Sequence, residues 1–455
     1  MHNLKYSLGI DIGTSGIRAA VMDSQHCIIS QAQHNLPKSK ELFDNNHIVT
    51  GCSQKPHDWW NAFEEVLFAI KESFLRQKLN IHNITHLAID GTSGTVLLAD
   101  HSGTPLSDAL MYNDQRAGIQ AQVIKDAAPD NTAVIGVTSG LAKLLWLYKE
   151  YSQAAAPQNS IAYALNQADW VSGKLLGKYG LSDHNNALKM GYDAQEKCWP
   201  AWVINLLNQH HFSPAYLPHV LSPGQELGII SATMAQHFGY SPKLKICAGT
   251  TDSTAAIIAA GATETGQAVT SLGSTLVMKV ISEHPVFDKQ SGVYSQPYGK
   301  LWLIGGSSNS GGEVLKQYFN LNELAQMTQC LDKKIEQEDF SLLDLNFYPL
   351  STPGERFPIQ DSLLEPKLSP RPSEPQDFFQ ALLEGMADIE TFAYKKLVDL
   401  GAPYPKLVIS IGGGAINQSW RYIREQKLGI SVTQASQHQA AAGTALLAQT
   451  TWQKT

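Results

Sequence analysis

The chain has 455 residues, enough for two or three domains with sizeable cores. Hydrophobic residues make up 43% of the chain and charged residues 16%, which excludes a disordered protein and a coiled coil. The net charge is −7 and no dense basic block occurs, which argues against nucleic-acid binding. Five widely spaced cysteines without a CxxC pair are typical of a reducing compartment, and no apolar stretch is long enough for a membrane span. The N-terminal residues show no signal-peptide pattern, so we expect a cytoplasmic protein.

The N-terminal segment predicts an antiparallel arrangement of three strands opened by the glycine-rich turn DIGTSG. A helix with one apolar face follows, and two more strands flank the segment GTSG at residues 91–94. The region from about 114 to 240 is expected to be mostly helix and loop, and the polar, proline-rich stretch 342–375 a surface excursion. Strands are predicted at 6–11, 17–22, 27–33, 84–90, 95–100, 243–248, 267–272, 275–280, 301–304 and 406–411. Helices are predicted at 58–76, after GTTDSTAA to about residue 260, at 417–425 and near the C-terminus.

Two distant segments share one plan of apolar strand, Gly/Ser/Thr turn and apolar strand. They are GIDIGTSGIRAAV near the start and AVTSLGSTLVMKV in the middle of the chain. This similarity predicts two structurally similar halves, each presenting a glycine-rich hairpin, although two unrelated hairpins would give the same pattern.

The first of these turns has the groups needed to surround a phosphate. Gly13 and Gly16 let the backbone approach a ligand, and the N–H groups between them are joined by the hydroxyls of Thr14 and Ser15. Arg18 adds a guanidinium fork. A strand rather than a helix follows the turn, so neither a Rossmann fingerprint nor a P-loop is present.

Asp11 stands at the end of the first strand, directly before this turn. A carboxylate alone would repel phosphate, so its position suggests a role in holding Mg²⁺ through water. A hairpin turn with a capping aspartate is the alternative explanation.

Three later segments could also carry chemistry. In GTTDSTAA, Asp252 lies at or near a helix start, where it could act as a general base towards an attacking alcohol or simply cap the helix. In GGGAINQSW, residues 412–420, the glycines would let a flat base approach the backbone, and Asn417 could bond to it. GGSSNSGG, residues 305–312, is similarly permissive. For these last two segments, plain turns remain the alternative.

Taken together, the motifs resemble those of the FGGY family of carbohydrate kinases, within the superfamily that also holds actin and the heat-shock chaperone ATPases. DIGTSGIR is similar to the family's first phosphate motif and SLGST to its second. AGTTDSTAA is similar to the connecting motif that carries the catalytic aspartate, GGGAINQSW to the adenosine motif, and HQAAAGTALLA to the second connecting helix. Together the motifs span residues 7 to about 448.

The resemblance implies an α/β fold with two ribonuclease-H-like domains around a central cleft, which we place at residues 1–245 and 246–455. It implies ATP and Mg²⁺ as cofactors, bound mainly by the second domain. Asp11 would serve Mg²⁺ and the sugar, and Asp252 would be the catalytic base. The ATP and phosphate contacts implied are Thr14, Ser15, Gly16, Arg18, Gly273, Ser274, Thr275, Gly413, Gly414 and Asn417, with Asn309 and Gly312 as neighbours.

The expected substrate depends on one segment in which this chain differs from many members of the family. Family xylulokinases and glycerol kinases usually carry a Gln-x-His-Gly type segment after the strand at 84–90, whereas this chain has DGTSGTVLL. DGTSGT and MYNDQR resemble instead the short cyanobacterial and plant kinases that prefer D-ribulose. Ser93, Asp114 and Arg116 would then contact sugar hydroxyls together with Asp11 and Asp252.

The expected activity is therefore transfer of the γ-phosphoryl group of ATP to a primary hydroxyl of a ketopentose, with D-ribulose as the expected substrate. D-xylulose or another polyol is the alternative substrate. A nucleotide-dependent switch of the same superfamily and a sugar-binding protein without activity are alternatives of other classes. We expect a small-molecule sugar and ATP as partners, no nucleic acid or membrane, and a monomer or homodimer.

Overall fold

The computed structural model describes residues 5–45, 48–134, 136–153 and 161–449. Its strands in chain order are β1 (Tyr6–Ile12), β2 (Gly16–Met22), β3 (Ile28–Asn35), β4 (Lys40–Phe43), β5 (Val49–Gln54), β6 (Ile84–Gly91), β7 (Val96–Ala99), β8 (Ala109–Leu110), β9 (Tyr163–Asn166), β10 (Leu181–Asp183), β11 (His219–Leu221), β12 (Glu226–Ile229), β13 (Lys245–Cys247), β14 (Gln267–Leu272), β15 (Leu276–Ser282), β16 (Tyr294–Tyr298), β17 (Leu301–Ser308), β18 (Leu407–Ile411) and β19 (Val432–Gln434). Its α-helices are α1 (Pro56–Arg76), α2 (Gly118–Ala127), α3 (Gly140–Gln153), α4 (Gln167–Leu176), α5 (His184–Leu188), α6 (Ala201–Gln209), α7 (Ala232–Phe238), α8 (Asp252–Ala260), α9 (Gly312–Tyr318), α10 (Leu321–Glu336), α11 (Pro375–Asp399), α12 (Gln418–Leu428) and α13 (Ala440–Leu447). None of the helices within these ranges is both long and apolar enough to cross a membrane.

The chain forms two compact units, and the division differs from the expected boundary at 245/246. The first unit runs to Ala259 and also contains the segment from Gln439 onward, whereas the second comprises Ala260–His438. Helix α13 belongs to the first unit because it packs directly on α8: a Cβ on Gly443 would lie 1.8 Å from the Ala255 carbonyl oxygen. A contact so close between two helices leaves no room for a side chain.

The first unit is built on a six-stranded sheet with the order β12-β13-β6-β1-β2-β3. The central pairs β1–β6 and β6–β13 are parallel, and β1–β2–β3 is the antiparallel arrangement that the sequence predicts. Strand β1 is buried along its whole length, as expected for a strand covered on both faces. Helix α1 buries its aromatic and aliphatic face against this sheet, which confirms the predicted helix.

A second, smaller sheet in the first unit has the order β4-β5-β8-β7-β9 and packs with α2, α3 and α6 around a separate apolar cluster. The region 114–240 is largely helical, as predicted, but it also contains short strands β9 to β12. Strands of three or four residues carry too few alternating positions to be read from the sequence.

The second unit contains a six-stranded sheet with the order β16-β17-β15-β14-β18-β19. Strands β14 and β15 form an antiparallel hairpin, and β14 also pairs in parallel with β18, as β1 pairs with β2 and β6. Both units therefore contain a hairpin followed by parallel neighbours in the same order. This observation favours the hypothesis of two similar halves over that of unrelated hairpins.

Two sequence expectations for the second unit are wrong. The strand expected at 301–304 continues as β17 through Ser308, because Gly305 and Gly306 also pair with β15. Both positions exclude a side chain: a Cβ on Gly305 would lie 2.0 Å from the Met278 oxygen, and one on Gly306 would lie 2.5 Å from the Phe357 ring. The stretch 342–375 is not only a surface excursion, since Phe347 and Phe357 are buried in the core of this unit.

The contact of α13 with β1 gives a prediction about stability. A Cβ on Gly9 would lie 2.1 Å from the Ala441 oxygen and 2.2 Å from the Ala445 nitrogen, both main-chain atoms. We expect Gly9→Ala to lower the free energy of unfolding by about 3 kcal/mol, because relief requires α13 to move. Gly118→Ala is the matched control, since a Cβ there meets nothing within 4 Å. Urea denaturation of both variants measures this, and equal midpoints would contradict the packing described.

Candidate active site

Two aspartates lie side by side at the ends of neighbouring parallel strands in the first unit. Asp11 of β1 is paired in register with Asp90 of β6. Asp90 is fully buried and Asp11 almost so. The Thr444 hydroxyl of α13 donates to Asp90 Oδ2, whereas Asp90 Oδ1 has no hydrogen-bond donor among the described residues. The sequence analysis identified Asp11 but not Asp90 or Thr444.

Burial and mutual charge determine which of these carboxyls is ionised. Burial raises the pKa of Asp90 well above its ordinary value, and the negative charges of Asp11 and Asp252 raise it further. Burial also raises the pKa of Asp11, but a hydrogen bond from Asp90 and the Arg18 guanidinium 3.3 Å away oppose this. These causes favour the protonated form at both carboxyls, and more strongly at Asp90 than at Asp11.

Asp252 is the first residue of α8, as the sequence predicts, and its side chain is half-buried. Its Oδ1 accepts a hydrogen bond of 2.6 Å from the Ser253 N–H. The charge of Asp252 contributes to the raised pKa of Asp90 and, after burial, to the raised pKa of Tyr112. Asp252 is therefore an electrostatic neighbour of the Asp11–Asp90 pair and of the segment MYNDQR.

The glycine-rich turn after Asp11 is held at three points. The Gly13 N–H donates to the Gly16 oxygen at 3.0 Å, and the Thr14 and Ser15 oxygens accept from Gln54 Nε2 and the Leu36 N–H at 2.8 and 2.9 Å. The oxygens are thus used internally, while the Ser15 side chain is exposed. The Arg18 side chain is 46% exposed. This arrangement fixes the turn while leaving the Ser15 hydroxyl and the guanidinium accessible to a phosphate.

The predicted sugar contacts differ in how their side chains are engaged. The Ser93 hydroxyl is buried and has no partner within the described residues. Asp114 is fully buried, and its carboxylate accepts from the Cys52 N–H at 2.6 Å and from Arg116 Nε at 2.9 Å. Arg116 also lies 4.8 Å from the centre of the Trp146 ring. Asp114 therefore holds Arg116 in place, and Ser93 keeps its hydrogen-bonding capacity for another group.

The segment that carries Asp114 is further stabilised by a buried lysine that the sequence did not single out. Lys143 Nζ donates to the Met111 oxygen at 2.8 Å, and its side chain is fully buried. Burial lowers the pKa of Lys143 to about 7, partly offset by the charge of Asp114. Lys143 thus ties α3 to the segment MYNDQR.

A cavity of about 680 Å³ lies within the second unit, between the glycine-rich segments and α10. Its volume falls in the range that accommodates a cofactor-sized ligand. Its lining includes six of the residues that the sequence analysis names near ATP, whose contact with ATP stays a prediction: Gly273, Ser274, Gly312, Gly413, Gly414 and Asn417. Thr275 and Asn309 are not among its lining residues.

The backbone around this cavity requires glycine at two points. Gly311 adopts φ 149°, and a Cβ there would lie 2.6 Å from the Ser274 oxygen, so the start of α9 packs against the β14–β15 turn. Gly414 packs on the Trp420 ring, where a Cβ would approach to 2.6 Å. A Cβ on Gly413, in contrast, meets nothing within 4 Å. Gly413 therefore offers open main chain to a ligand.

Both asparagines predicted near the nucleotide make protein contacts. Asn417 caps α12: its Oδ1 accepts from the Trp420 N–H at 2.8 Å, and its Nδ2 donates to Thr328 Oγ1 at 3.1 Å. Asn309 Nδ2 donates to the Gly354 oxygen at 2.9 Å. In this structure each amide stabilises a loop, and contact with the base stays a prediction for both.

One wall of the cavity is formed by residues that the sequence motifs do not indicate. Helix α10 contributes the lining residues Leu321, Leu324, Ala325, Thr328, Gln329 and Asp332. The helix begins with a capping box between Asn320 and Glu323, which is a recognisable signal for a helix. Nothing in the sequence pattern indicates which face of α10 meets the glycine-rich segments.

Buried polar residues of α5 lie next to the segment that precedes Asp252. Asp183 caps α5, accepting from the Asn185 and Asn186 N–H groups at 2.8 and 3.0 Å. Burial raises the pKa of Asp183. Asn185 and Asn186 in turn bond to Thr250, two residues before Asp252. These residues connect the central region of the chain to the start of α8.

His184, in the same helix, gives a pH-dependent prediction. Its ring is stacked on Tyr192 with centroids 5.6 Å apart, and burial, with a smaller contribution from Lys197, lowers its pKa to about 4. Because the unfolded chain binds the proton more tightly, stability should rise as the pH increases from about 4 to about 6.5, by up to about 3 kcal/mol. Urea denaturation of wild type and His184→Asn across this range measures the effect, and parallel pH profiles would contradict it.

Comparison with known proteins settles the family. Residues 6–259 match the family model for the N-terminal domain of the FGGY family of carbohydrate kinases. Residues 268–452 match the model for the C-terminal domain of the same family. The chain belongs to the FGGY family of carbohydrate kinases. It is therefore an ATP-dependent sugar kinase, with a sugar and ATP as its substrates.

The individual proteins that this chain is similar to include sugar kinases. Xylulose kinase from Staphylococcus xylosus is 22% identical over 472 residues, covering 98% of this chain and 90% of the relative. The crystal structure of ligand-bound xylulose kinase from Lactobacillus acidophilus matches with a TM-score of 0.81 at 18% identity, covering 98% of this chain and 89% of the other. The gluconate kinase from the same organism matches with a TM-score of 0.82 at 19% identity, over the same shares of both chains. The structural matches confirm the α/β two-domain sugar kinase fold.

The residues of the first unit fit the divalent metal that the family usually needs. Mg²⁺ prefers oxygen ligands, keeps several of its waters, and is commonly held by one or two carboxylates together with substrate phosphates. Asp11 supplies one carboxylate at the end of β1, whereas the neighbouring Asp90 donates a hydrogen bond to Asp11 and is not assigned to the ion. Among the described residues, no group of three or more His, Cys, Asp or Glu side chains could hold a metal ion. Such a donor set suits an ion that retains water.

Proposed function

We propose that this kinase transfers the γ-phosphoryl group of ATP to a primary hydroxyl of an open-chain ketopentose, with D-ribulose as its preferred substrate. The observation that carries the proposal is the grouping of Asp11, Asp90 and Asp252 in the first unit, at the ends of two strands and the start of a helix. A charged carboxylate at a helix start is stabilised as the ionised form, as a general base requires.

We assign Asp252 as the base that accepts the proton of the attacking hydroxyl. Its position at the N-terminus of α8 leaves the carboxylate half-buried and close enough to Asp90 for its charge to raise the pKa of that residue. Asp11 would position the sugar and hold Mg²⁺ through water. The ion, when bound, would neutralise charge on the phosphates. Since phosphoryl transfer demands little covalent work from the protein, positioning and charge neutralisation account for most of the catalysis.

ATP would bind in the cavity of the second unit. The open main chain at Gly413 and the apolar lining from α10 suit a flat base, and the β14–β15 turn would face its phosphates. Thr14, Ser15, Gly16 and Arg18 of the first unit are assigned to phosphate contact because the turn is fixed while the Ser15 hydroxyl and the Arg18 guanidinium remain accessible.

The preference for D-ribulose is supported by the loop after β6. The loop reads GTSG, without the Gln and His of family xylulokinases, and the unpartnered hydroxyl of Ser93 is available for a sugar hydroxyl. D-xylulose is the second candidate, because a relative matched over most of the chain is named xylulose kinase. Both matched domain descriptions are of carbohydrate kinases, which disfavours a nucleotide switch or an inactive sugar-binding protein.

The test is a coupled assay of ADP formation with Mg²⁺ and a panel of acceptors: D-ribulose, D-xylulose, L-ribulose, glycerol, gluconate and no sugar. We expect kcat/KM to be highest for D-ribulose and turnover without sugar to be negligible. A higher kcat/KM for D-xylulose would replace the substrate while leaving the kinase assignment intact. Equal ADP formation with and without every sugar would contradict the proposed function.

A further inference from the structure

The residue two positions before Asp252 is held by both of its polar groups. Asn185 Nδ2 donates to Thr250 Oγ1 at 2.9 Å, and Asn186 Nδ2 donates to the Thr250 main-chain oxygen at 3.1 Å. All three residues are buried, with Thr250 fully so. These bonds fix the main chain immediately before the start of α8.

The orientation of the Asn186 amide is determined by its surroundings. Its Nδ2 also donates to Asp183 Oδ2 at 2.6 Å, so one amide nitrogen serves two acceptor oxygens. The opposite orientation would place the amide oxygen against both acceptors, which is unfavourable. Asp183 itself is held by the N-terminal N–H groups of α5. The cap, the amide and the Thr250 oxygen thus form one continuous set of buried hydrogen bonds.

The next residue is fixed from another side. Thr251 forms a parallel bridge with Gly91 at the end of β6, and its hydroxyl lies 3.0 Å from Thr254 Oγ1. Its main-chain oxygen accepts from the Ala255 N–H within α8. With Thr250 held by α5 and Thr251 by β6, the chain has little freedom at the position from which the Asp252 side chain projects.

We propose that Asn186 is a positioning residue, which acts through the Thr250 carbonyl to fix the Asp252 carboxylate relative to the attacking hydroxyl. This inference rests on the proposed function, because it takes Asp252 as the base. Positioning Asp252 matters for the rate because proton and phosphoryl transfer depend steeply on geometry. A displacement of about 1 Å can lower the rate about 100-fold. Because Asn186 acts here through the Thr250 carbonyl, its role is to position the base and not to take part in the proton transfer.

The experiment is a double-mutant cycle of Asn186→Ala and Asp252→Asn, assayed by sugar-dependent ADP formation with active sites counted by ATP binding. We expect Asn186→Ala alone to lower kcat about 10- to 100-fold with the KM for ATP changed less than about twofold. In the Asp252→Asn background, the same change should alter the residual rate less than about twofold, because there is no base left to position.

Two further variants separate positioning from stability. Tyr240→Phe is the matched control, because it also removes one buried side-chain bond to a main-chain carbonyl, that of Leu67, and should leave kcat unchanged. Asn186→Asp keeps the shape of the side chain but turns an oxygen towards two acceptors, so it should lower kcat at least as much as Asn186→Ala. It serves in place of the alanine variant if that variant does not fold.

The outcomes are distinguishable. A kcat within twofold of wild type in both Asn186 variants would overturn the inference and leave the proposed function standing. An equal loss from Asn186→Ala in the wild-type and Asp252→Asn backgrounds would overturn it as well, because the effect would then not pass through Asp252. Wild-type turnover in Asp252→Asn alone would overturn the base assignment, and the positioning role with it.

Discussion

Asp252→Asn is expected to lower kcat for sugar phosphorylation by about 100- to 10,000-fold, the contribution typical of general-base assistance. The amide has nearly the same shape as the carboxylate, and its oxygen can still accept the Ser253 N–H. It cannot take a proton from the attacking hydroxyl. Because Asp252 is not among the residues that line the cavity assigned to ATP, the dissociation constant for ATP should change little. Steady-state kinetics and ATP titration by calorimetry measure the two quantities.

The control for this change is Asp193→Asn. Asp193 Oδ1 also accepts local main-chain N–H groups, those of Gln195 and Glu196 at 2.9 and 3.0 Å, and asparagine can retain both bonds. Its kcat should equal that of wild type. If Asp252→Asn and Asp193→Asn were equally active, Asp252 would be only the first residue of a helix.

Asp11→Asn is expected to lower kcat at least about 100-fold and to raise the Mg²⁺ concentration needed for half-maximal activity. The change removes the charge that Arg18 faces at 3.3 Å and the only carboxylate we assign to the metal. A neutral amide is a weaker ligand for a hard cation, so the metal dependence should move as well as the rate. Activity measured against free Mg²⁺ at saturating ATP and sugar provides the test.

Asp23→Asn is the corresponding control in the same sheet. Asp23 Oδ1 accepts from the Gln25 and Cys27 N–H groups in the β2–β3 turn, and an amide oxygen can do the same. It should change neither kcat nor the metal dependence. A loss of rate in Asp11→Asn with an unaltered Mg²⁺ dependence would show that Asp11 acts on the sugar alone.

Much of this arrangement could be predicted from local sequence. Asp11 and Asp252 were identified because each ends or begins a strongly patterned element, and the two hairpins because glycine and serine interrupt apolar strands. Such signals depend on neighbouring residues, so they are visible in one sequence.

The residues that were missed depend on pairing between distant segments. Asp90 becomes the neighbour of Asp11 only through the parallel register of β1 and β6, and Thr444 reaches Asp90 from 354 positions away. Asn186 likewise gains its role from Thr250, 64 positions along the chain. No periodicity or turn motif encodes such contacts, because they are set by tertiary packing.

The membership of α13 in the first unit has the same cause. The sequence predicts its helix but not that it packs on β1 through Gly9 and on α8 through Gly443. Small residues such as these could pack against many other segments, so they do not indicate which segments α13 contacts. For this reason the expected division at 245/246 differs from the observed one, even though the elements on either side were predicted.

A crystal structure with bound D-ribulose tests the central claim most directly. We predict that the sugar lies in the first unit, with one of its primary hydroxyls within about 3.2 Å of an Asp252 carboxylate oxygen and its other hydroxyls reaching Asp11 and Ser93. Sugar density elsewhere, with neither aspartate in contact, would contradict the assignment of this site.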